Sequence, residues 1–151
     1  MKRSNFYMEE AYKEARRAYN IGEVPVGAVI VKDGTIIAAA HNEKETGNDA
    51  TMHAEISAIK RACRSLSSWR LSGCDIYVTL EPCTMCIGAI LQARLDNLYI
   101  GAFDPKAGAC GSVIDIPSVT AFNHKVNVYY GIMEEECSQI LQDFFNGLRS
   151  C

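Results

Sequence analysis

Two hydrophobic periodicities alternate along this chain, and their order predicts its architecture. Met8, Ala11, Tyr12, Ala15, Ala18 and Tyr19 recur at helical spacing, and Asn20 and Gly22 stop the pattern, which predicts a first amphipathic helix. Val24 to Val31 is a near-continuous apolar run, as in a strand buried on both faces. Asp33-Gly34 separates it from a second apolar stretch, Thr35 to Ala40, and an Asp-Gly pair in that position predicts an antiparallel hairpin. His41 to Thr51 is polar and reads as a loop. Beyond His53, the positions Ile56, Ile59, Ala62, Cys63 and Leu66 predict a second helix. Ile76 to Leu80 reads as a strand, Cys86 to Arg94 as a short helix after Pro82, and Leu98 to Ile100 as another strand. Gly101 to Lys125 is interrupted by Gly108, Gly111 and Pro117 and reads largely as loop. Val126 to Tyr130 predicts a fifth strand, and Cys137, Ile140, Leu141, Phe144, Phe145 and Leu148 a closing helix.

Interleaved strands and helices predict an α/β fold: three α/β/α layers around a mixed five-stranded sheet, parallel where a helix crosses between strands. No repeat or linker divides the 151 residues, so one domain over 1–151 is expected. The composition, 48% hydrophobic and 22% charged, excludes a disordered or fibrous chain. No apolar run approaches the ~20 residues of a membrane span, and Met1 to Asn5 leads into Glu9-Glu10 rather than an apolar segment, so no signal peptide is expected. The formal charge of −3 argues against a broad electrostatic grip on nucleic acid. Seven cysteines, an odd number without a secretory segment, predict a reduced cytoplasmic protein with no disulfide.

Only Cys83 and Cys86 among them have a metal- or redox-type spacing. The chemistry is carried by His53-Ala54-Glu55 together with Pro82-Cys83-Thr84-Met85-Cys86, each at the opening of a predicted helix. Cys83 and Cys86 stand three apart across a first helical turn, where their sulfurs can share one metal. Pro82 suits that position because its missing N–H costs nothing there. The free N–H groups and positive end of the helix favour thiolate over thiol. With His53 as a nitrogen ligand, the set suits zinc and leaves one tetrahedral position open, the mark of a catalytic rather than structural site. Glu55, two residues beyond His53, is placed to act as proton shuttle. A structural zinc would need a fourth ligand, for which His41, His124 and Cys110 are the spare candidates. A redox Cys-x-x-C would leave His53 and Glu55 idle.

The H-x-E and P-C-x-x-C pair resembles the signature of the zinc-dependent nucleobase deaminases. The likeness extends through Glu23 to Val29, Ala40-His41-Asn42, Thr51 to Glu55, Tyr77 to Cys86, Gly101 to Lys106, Phe122-Asn123-His124 and Phe144-Phe145, and over about residues 5–149 the chain resembles the bacterial tRNA-specific adenosine deaminases. That resemblance implies a cytidine deaminase-like fold, one Zn2+ per subunit, a homodimer, and conversion of adenosine to inosine at the wobble position of an arginine tRNA anticodon loop. It implies His53, Cys83 and Cys86 as zinc ligands and Glu55 as the group that moves protons between water, N1 of the base and the departing amine. It further implies that Asn42 hydrogen-bonds the flipped base, that Val26, Gly27 and Ala28 line the pocket, and that Lys106, Asn123, Phe145 and Arg149 meet the flanking nucleotides. Met52 departs from the smaller residue common beside the ligand histidine and is expected to tighten the pocket rim.

Read from the residues alone, the RNA contacts have plainer roles open to them. Phe145 lies on the apolar stripe of the last helix, Asn123 suits a turn, and Lys106 and Arg149 suit a solvated surface. Lys60, Arg61, Arg64 and Arg70 are read as the exposed face of the second helix. Two rival functions share parts of the pattern: a free-base deaminase acting on guanine or cytosine, and a zinc-stabilised RNA-binding module without catalysis.

Overall fold

A computed structural model describes residues 3–149. Among the described residues four α-helices and five strands follow one another as α1 (Arg3–Asn20), β1 (Gly27–Lys32), β2 (Thr35–His41), α2 (Ala54–Leu66), β3 (Cys74–Leu80), α3 (Thr84–Gln92), β4 (Asn97–Ala102), β5 (Asn127–Tyr129) and α4 (Glu134–Arg149), with a single 3-10 turn at Ile116–Ser118 before β5. The strands form one sheet in the order β2-β1-β3-β4-β5. β1 runs antiparallel to both β2 and β3, whereas β3, β4 and β5 are mutually parallel. The sheet is therefore mixed, with its parallel part reached through the α3 crossover.

Strand alternation sends alternate side chains into two separate cores. On one face Ala28, Ile30, Ile76, Val78, Leu98 and Ile100 pack with Ala54, Ala58 and Ala62 of α2 and with Ile87 and Ile90 of α3. On the other, Val29, Val31 and Tyr77 pack with Tyr7, Met8 and Ala11 of α1 and with Cys137 of α4. These are the three expected layers. The hairpin is as the Asp-Gly pair predicts: Asp33 and Gly34 take φ of 50° and 78°, the left-handed pair that a type I′ turn requires.

β1 begins three residues later than the apolar run suggests, at Gly27 instead of Val24. Pro25 has no N–H to give a ladder, and Val24 to Val26 instead fold as a short turn with Val26 N–H donating to Val24 O at 2.8 Å. Alanines at 11, 15 and 18 bring α1 close to this corner. A Cβ on Gly27 would lie 2.0 Å from Ala11 O and 2.6 Å from Ala15 N, so only glycine permits the approach. The result fixes the start of β1 beside the end of β2 and the carboxyl ends of β3 and β4. Crevices at such strand ends are where open α/β sheets place ligands.

Candidate metal centre and active site

Two helices begin at this sheet edge and deliver the sulfur and nitrogen donors. His53 caps α2 with extended backbone (φ −73°, ψ 155°), and Cys83 caps α3 (φ −78°, ψ −179°). Cys86 lies one turn into α3, fully buried. The Cys83 and Cys86 sulfurs stand 3.7 and 3.5 Å from His53 Nδ1, and all three donor atoms lie within 4.8 Å of one another. A tetrahedral zinc with sulfur at about 2.3 Å and nitrogen at about 2.0 Å sets neighbouring N and S atoms about 3.5 Å apart. The donor set fits zinc in both chemistry and spacing.

The spare ligand candidates are engaged elsewhere. His41 Nδ1 lies 2.9 Å from Glu14 Oε1, His124 Nε2 lies 2.6 Å from Leu95 O, and the Cys110 thiol is directed at Pro82 O. Among the described residues no fourth protein ligand joins the three. That is the open arrangement of a catalytic zinc, not the closed one of a structural zinc. Cys63, Cys74, Cys83, Cys86, Cys110 and Cys137 are all free thiols, and Cys151 lies outside the described residues.

The electrostatics divide the two sulfurs, holding Cys83 as thiolate and Cys86 as the thiol that donates to it. A hydrogen bond from Cys86, followed by His53, holds Cys83 down to about 3, far below an ordinary thiol. Cys86 moves the opposite way, because it donates to Cys83 and is buried. His53 is raised, first by its hydrogen bond to Cys83. Glu55 sits in the first turn of α2, 4% exposed, and burial pushes its carboxyl up to about 7.

Above the donors opens a cavity of about 190 Å³, lined by Val24, Val26, Asn42, Lys44, His53, Ala54, Glu55, Leu80, Glu81, Cys83, Asp104 and Ala107. It is smaller than the roughly 300–1,000 Å³ of pockets for drug-sized ligands, a size suited to a single heterocyclic ring system. Asn42 is buried on its wall, with Nδ2 donating to Val24 O at 3.4 Å and Oδ1 accepting from Lys44 N at 3.3 Å. Each carboxamide atom keeps a further hydrogen-bonding position for a ligand.

Val26 and Asn42 thus reach the cavity, and Gly27 and Ala28 do not. Gly27 turns its missing side chain to α1, and Ala28 is wholly enclosed in the α2–α3 core. Lys106 and Asn123 are exposed on loops, and Phe145 is 43% exposed, with Phe144 rather than Phe145 directed toward Tyr19. The Arg149 side chain lies outside the described residues. Met52 is absent from the cavity wall; it packs against Gly47 within the polar loop instead of tightening the rim. Lys60, Arg61 and Arg64 lie exposed on α2, as read from the sequence, with Arg61 bonded to Ala39 O; Arg70 is exposed too but lies beyond the end of α2 at Leu66, stacked 4.8 Å over Trp69.

The structure adds two buried carboxylates that the motif reading left without a role. Glu23, 1% exposed, pins the 43–53 loop: it accepts from Glu45 N at 3.2 Å, Thr46 N at 2.5 Å and the Thr46 hydroxyl at 2.6 Å. Glu81, 2% exposed, pins the opposite loop: it accepts from Asp104 N and Cys110 N at 3.0 Å, Ser112 N at 3.1 Å and the Ser112 hydroxyl. For both groups burial alone would raise the carboxyl, but the combined hydrogen bonds prevail and hold it below its usual range. Lys44, on the first of these loops, was not singled out, and Asp104, on the second, was read only as part of the Gly101 to Lys106 likeness. The sequence signal was an acidic residue at the border of an apolar run, Glu23 just before Val24 and Glu81 just after Leu80.

Comparison with known proteins agrees with this chemistry. Residues 3–149 match the MafB19-like deaminase family. A tRNA-specific adenosine deaminase of Bacillus subtilis is 48% identical over 149 residues, covering 99% of this chain and 92% of that protein. A solved tRNA:A34 deaminase, from a study of A-to-I editing at the wobble position of transfer RNA, superposes with a TM-score of 0.87 at 49% identity, over 90% of this chain and 99% of the other. A solved guanine deaminase of Bacillus subtilis is more distant: TM-score 0.64 at 34% identity, over 97% of this chain and 93% of that one.

Proposed function

This chain belongs to the MafB19-like deaminase family, on the branch of the tRNA-specific adenosine deaminases, and we propose that His53, Cys83, Cys86 and Glu55 carry out its reaction on a base seated in the cavity above them. The reaction is hydrolytic conversion of adenosine to inosine at the wobble position of a tRNA anticodon. The observation that carries the assignment of residues is the convergence of an open three-donor site, a buried carboxylate and a one-base cavity at a single sheet edge.

His53 Nδ1 and the Cys83 and Cys86 sulfurs would hold zinc. When bound, zinc supplies Lewis-acid activation of water, bringing the pKa of a coordinated water to about 7. The residues of the chain do the rest. Asn42 orients the base by its edge, and Val26 and Leu80 supply apolar contact. Glu55 takes one proton from water and passes it to N1 as the water oxygen bonds to C6. It then carries the second proton to the amino group, the C6–N bond breaks, and ammonia leaves. The sum is adenosine plus water giving inosine plus ammonia, with the N1 proton retained. A base must leave its stack to reach Glu55, which costs least in a single-stranded loop.

Phe145, Lys106 and Asn123 are proposed to meet the flanking nucleotides, supported by their exposure on α4 and on the loops beyond β4. Arg149 is proposed with them on the motif resemblance alone. A homodimer is proposed from the exposed apolar side chains concentrated after β4, among them Phe103, Val113, Ile114, Val119 and Phe122. Among the described residues no helix is long and apolar enough to cross a membrane; a cytoplasmic location is proposed from the tRNA substrate. An arginine tRNA as the preferred substrate rests on the motif resemblance. Incubation with anticodon stem-loops bearing a wobble adenosine, and separately with free guanine and cytosine, tests the function. Inosine is expected in the stem-loop, most rapidly in that of an arginine tRNA; turnover of a free base alone would overturn the reading.

A further inference from the structure

A base that fills the cavity leaves its ribose and two phosphodiesters at the opening, where the charged side chains facing them decide how the strand lies. The opening is bounded by the loop after β2 on one side and the loop after β4 on the other, with Lys44 and Asp104 as their charged lining residues. Asp104 is turned into its own loop, since its Oδ1 accepts from Lys106 N at 3.1 Å and Ala107 N at 3.2 Å. Lys44 is different. Its backbone is fixed, by the N–H bond to Asn42 Oδ1 and by the loop's attachment to buried Glu23, while its side chain is exposed. Among the described residues no carboxylate forms an ion pair with its ammonium; neighbouring Glu43 faces Arg61 at 3.6 Å and His41 at 4.0 Å. A rigidly mounted, unpaired ammonium beside a one-base cavity is a place for an anion.

We infer that the Lys44 ammonium binds the phosphodiester next to the flipped adenosine and so sets how the RNA strand crosses the opening. The inference rests on the proposed function and adds a contact that helps explain how a chain of net charge −3 holds RNA: by a few cations placed at the site, Lys44 among them, rather than by a basic field.

The test combines Lys44→Gln and Lys44→Arg with three anticodon stem-loops: one unmodified, and two in which the phosphodiester 5′ or 3′ of the wobble adenosine is replaced by a neutral methylphosphonate. Lys44→Gln is expected to lower kcat/KM on the unmodified RNA by about tenfold, the scale of one hydrogen bond to a charged group. Its log–log salt dependence should be shallower by about 0.7, one phosphate on a single strand. One of the two neutral linkages should cost the wild type a similar factor and cost Lys44→Gln almost nothing further, because ammonium and phosphate form one interaction. Lys44→Arg should keep most of the activity. If Lys44→Gln loses as much from each neutral linkage as the wild type does, the inference is wrong although the function stands. A wild-type protein inactive on the unmodified stem-loop overturns the function, and the inference with it.

Discussion

Replacing Glu81 by Gln would change one atom in a side chain that is 2% exposed, and the structure makes this a severe change. All four partners of the carboxylate are donors. Oε1 accepts from Asp104 N and the Ser112 hydroxyl, and Oε2 accepts from Cys110 N and Ser112 N. A carboxamide can satisfy only one such pair, and its NH2 then faces the other. The least costly orientation keeps oxygen toward Cys110 N and Ser112 N, where two backbone N–H groups cannot adapt. The Ser112 hydroxyl can rotate to accept from the NH2, but Asp104 N–H is left facing a donor. One unsatisfied donor costs about 1–3 kcal/mol, and two charge-assisted bonds weakened to neutral ones add about 1 kcal/mol. A loss of about 2–4 kcal/mol is expected, which at an m-value of about 2 kcal/mol/M moves the urea midpoint down by about 1–2 M. The same change frees the loop carrying Asp104 and Ala107, so KM for the stem-loop should rise while zinc content, governed by His53, Cys83 and Cys86, stays at one per chain. Gly108→Ala gives an independent check, since its Cβ would lie 2.4 Å from Glu81 Cδ. An unchanged urea midpoint and KM in Glu81→Gln would refute the assignment of Glu81 as the anchor of this loop.

Glu55→Gln should retain zinc and lose at least about 10²-fold in kcat, the usual range for a lost acid–base group; loss of zinc by elemental analysis would show that Glu55 supports the ligands instead of the proton transfers. Cys86→Ala removes one of three donors, so zinc should fall well below one per chain after dialysis, and stoichiometric zinc would contradict the ligand set. Glu23 predicts a pH signature: its carboxyl is lowered on folding, so its contribution is present above the unfolded value of about 4.3 and disappears as pH falls through the folded value. The stability gap between wild type and Glu23→Gln in urea should be constant above about pH 5 and close in acid; a gap independent of pH down to about 3 would contradict this role.

The parts of the site readable in the sequence are those set by local geometry. Cys83 and Cys86 stand three apart across a helix start, so their spacing alone places both sulfurs on one side, whereas His53 joins Glu55 at the site through its extended cap backbone, two residues ahead of it. The Asp33-Gly34 turn was legible for the same reason. The rim was not. Glu23 reaches its partners 22 and 23 residues on, and Glu81 its own 23 to 31 residues on, so the paths of both loops depend on contacts that no short pattern records. The contributions of Gly27 and Ala28 turned on a register detail. Pro25 delays the strand, Val26 stays outside it facing the cavity, and the next two side-chain positions face α1 and the α2–α3 core. Phe144 and Phe145 share one apolar stripe, and only the packing of Tyr19 against Phe144 shows which of them remains open to a partner.

The central claim is that water activated beside Glu55 replaces the amino group of a wobble adenosine. Deamination of the anticodon stem-loop in 18O-labelled water tests it most directly, with the nucleosides resolved by mass spectrometry and ammonia measured in parallel. The account predicts one heavy oxygen in each inosine at the wobble position, one ammonia released per inosine, and neither product with Glu55→Gln. Inosine formed without the label, or equal conversion by Glu55→Gln, would contradict it.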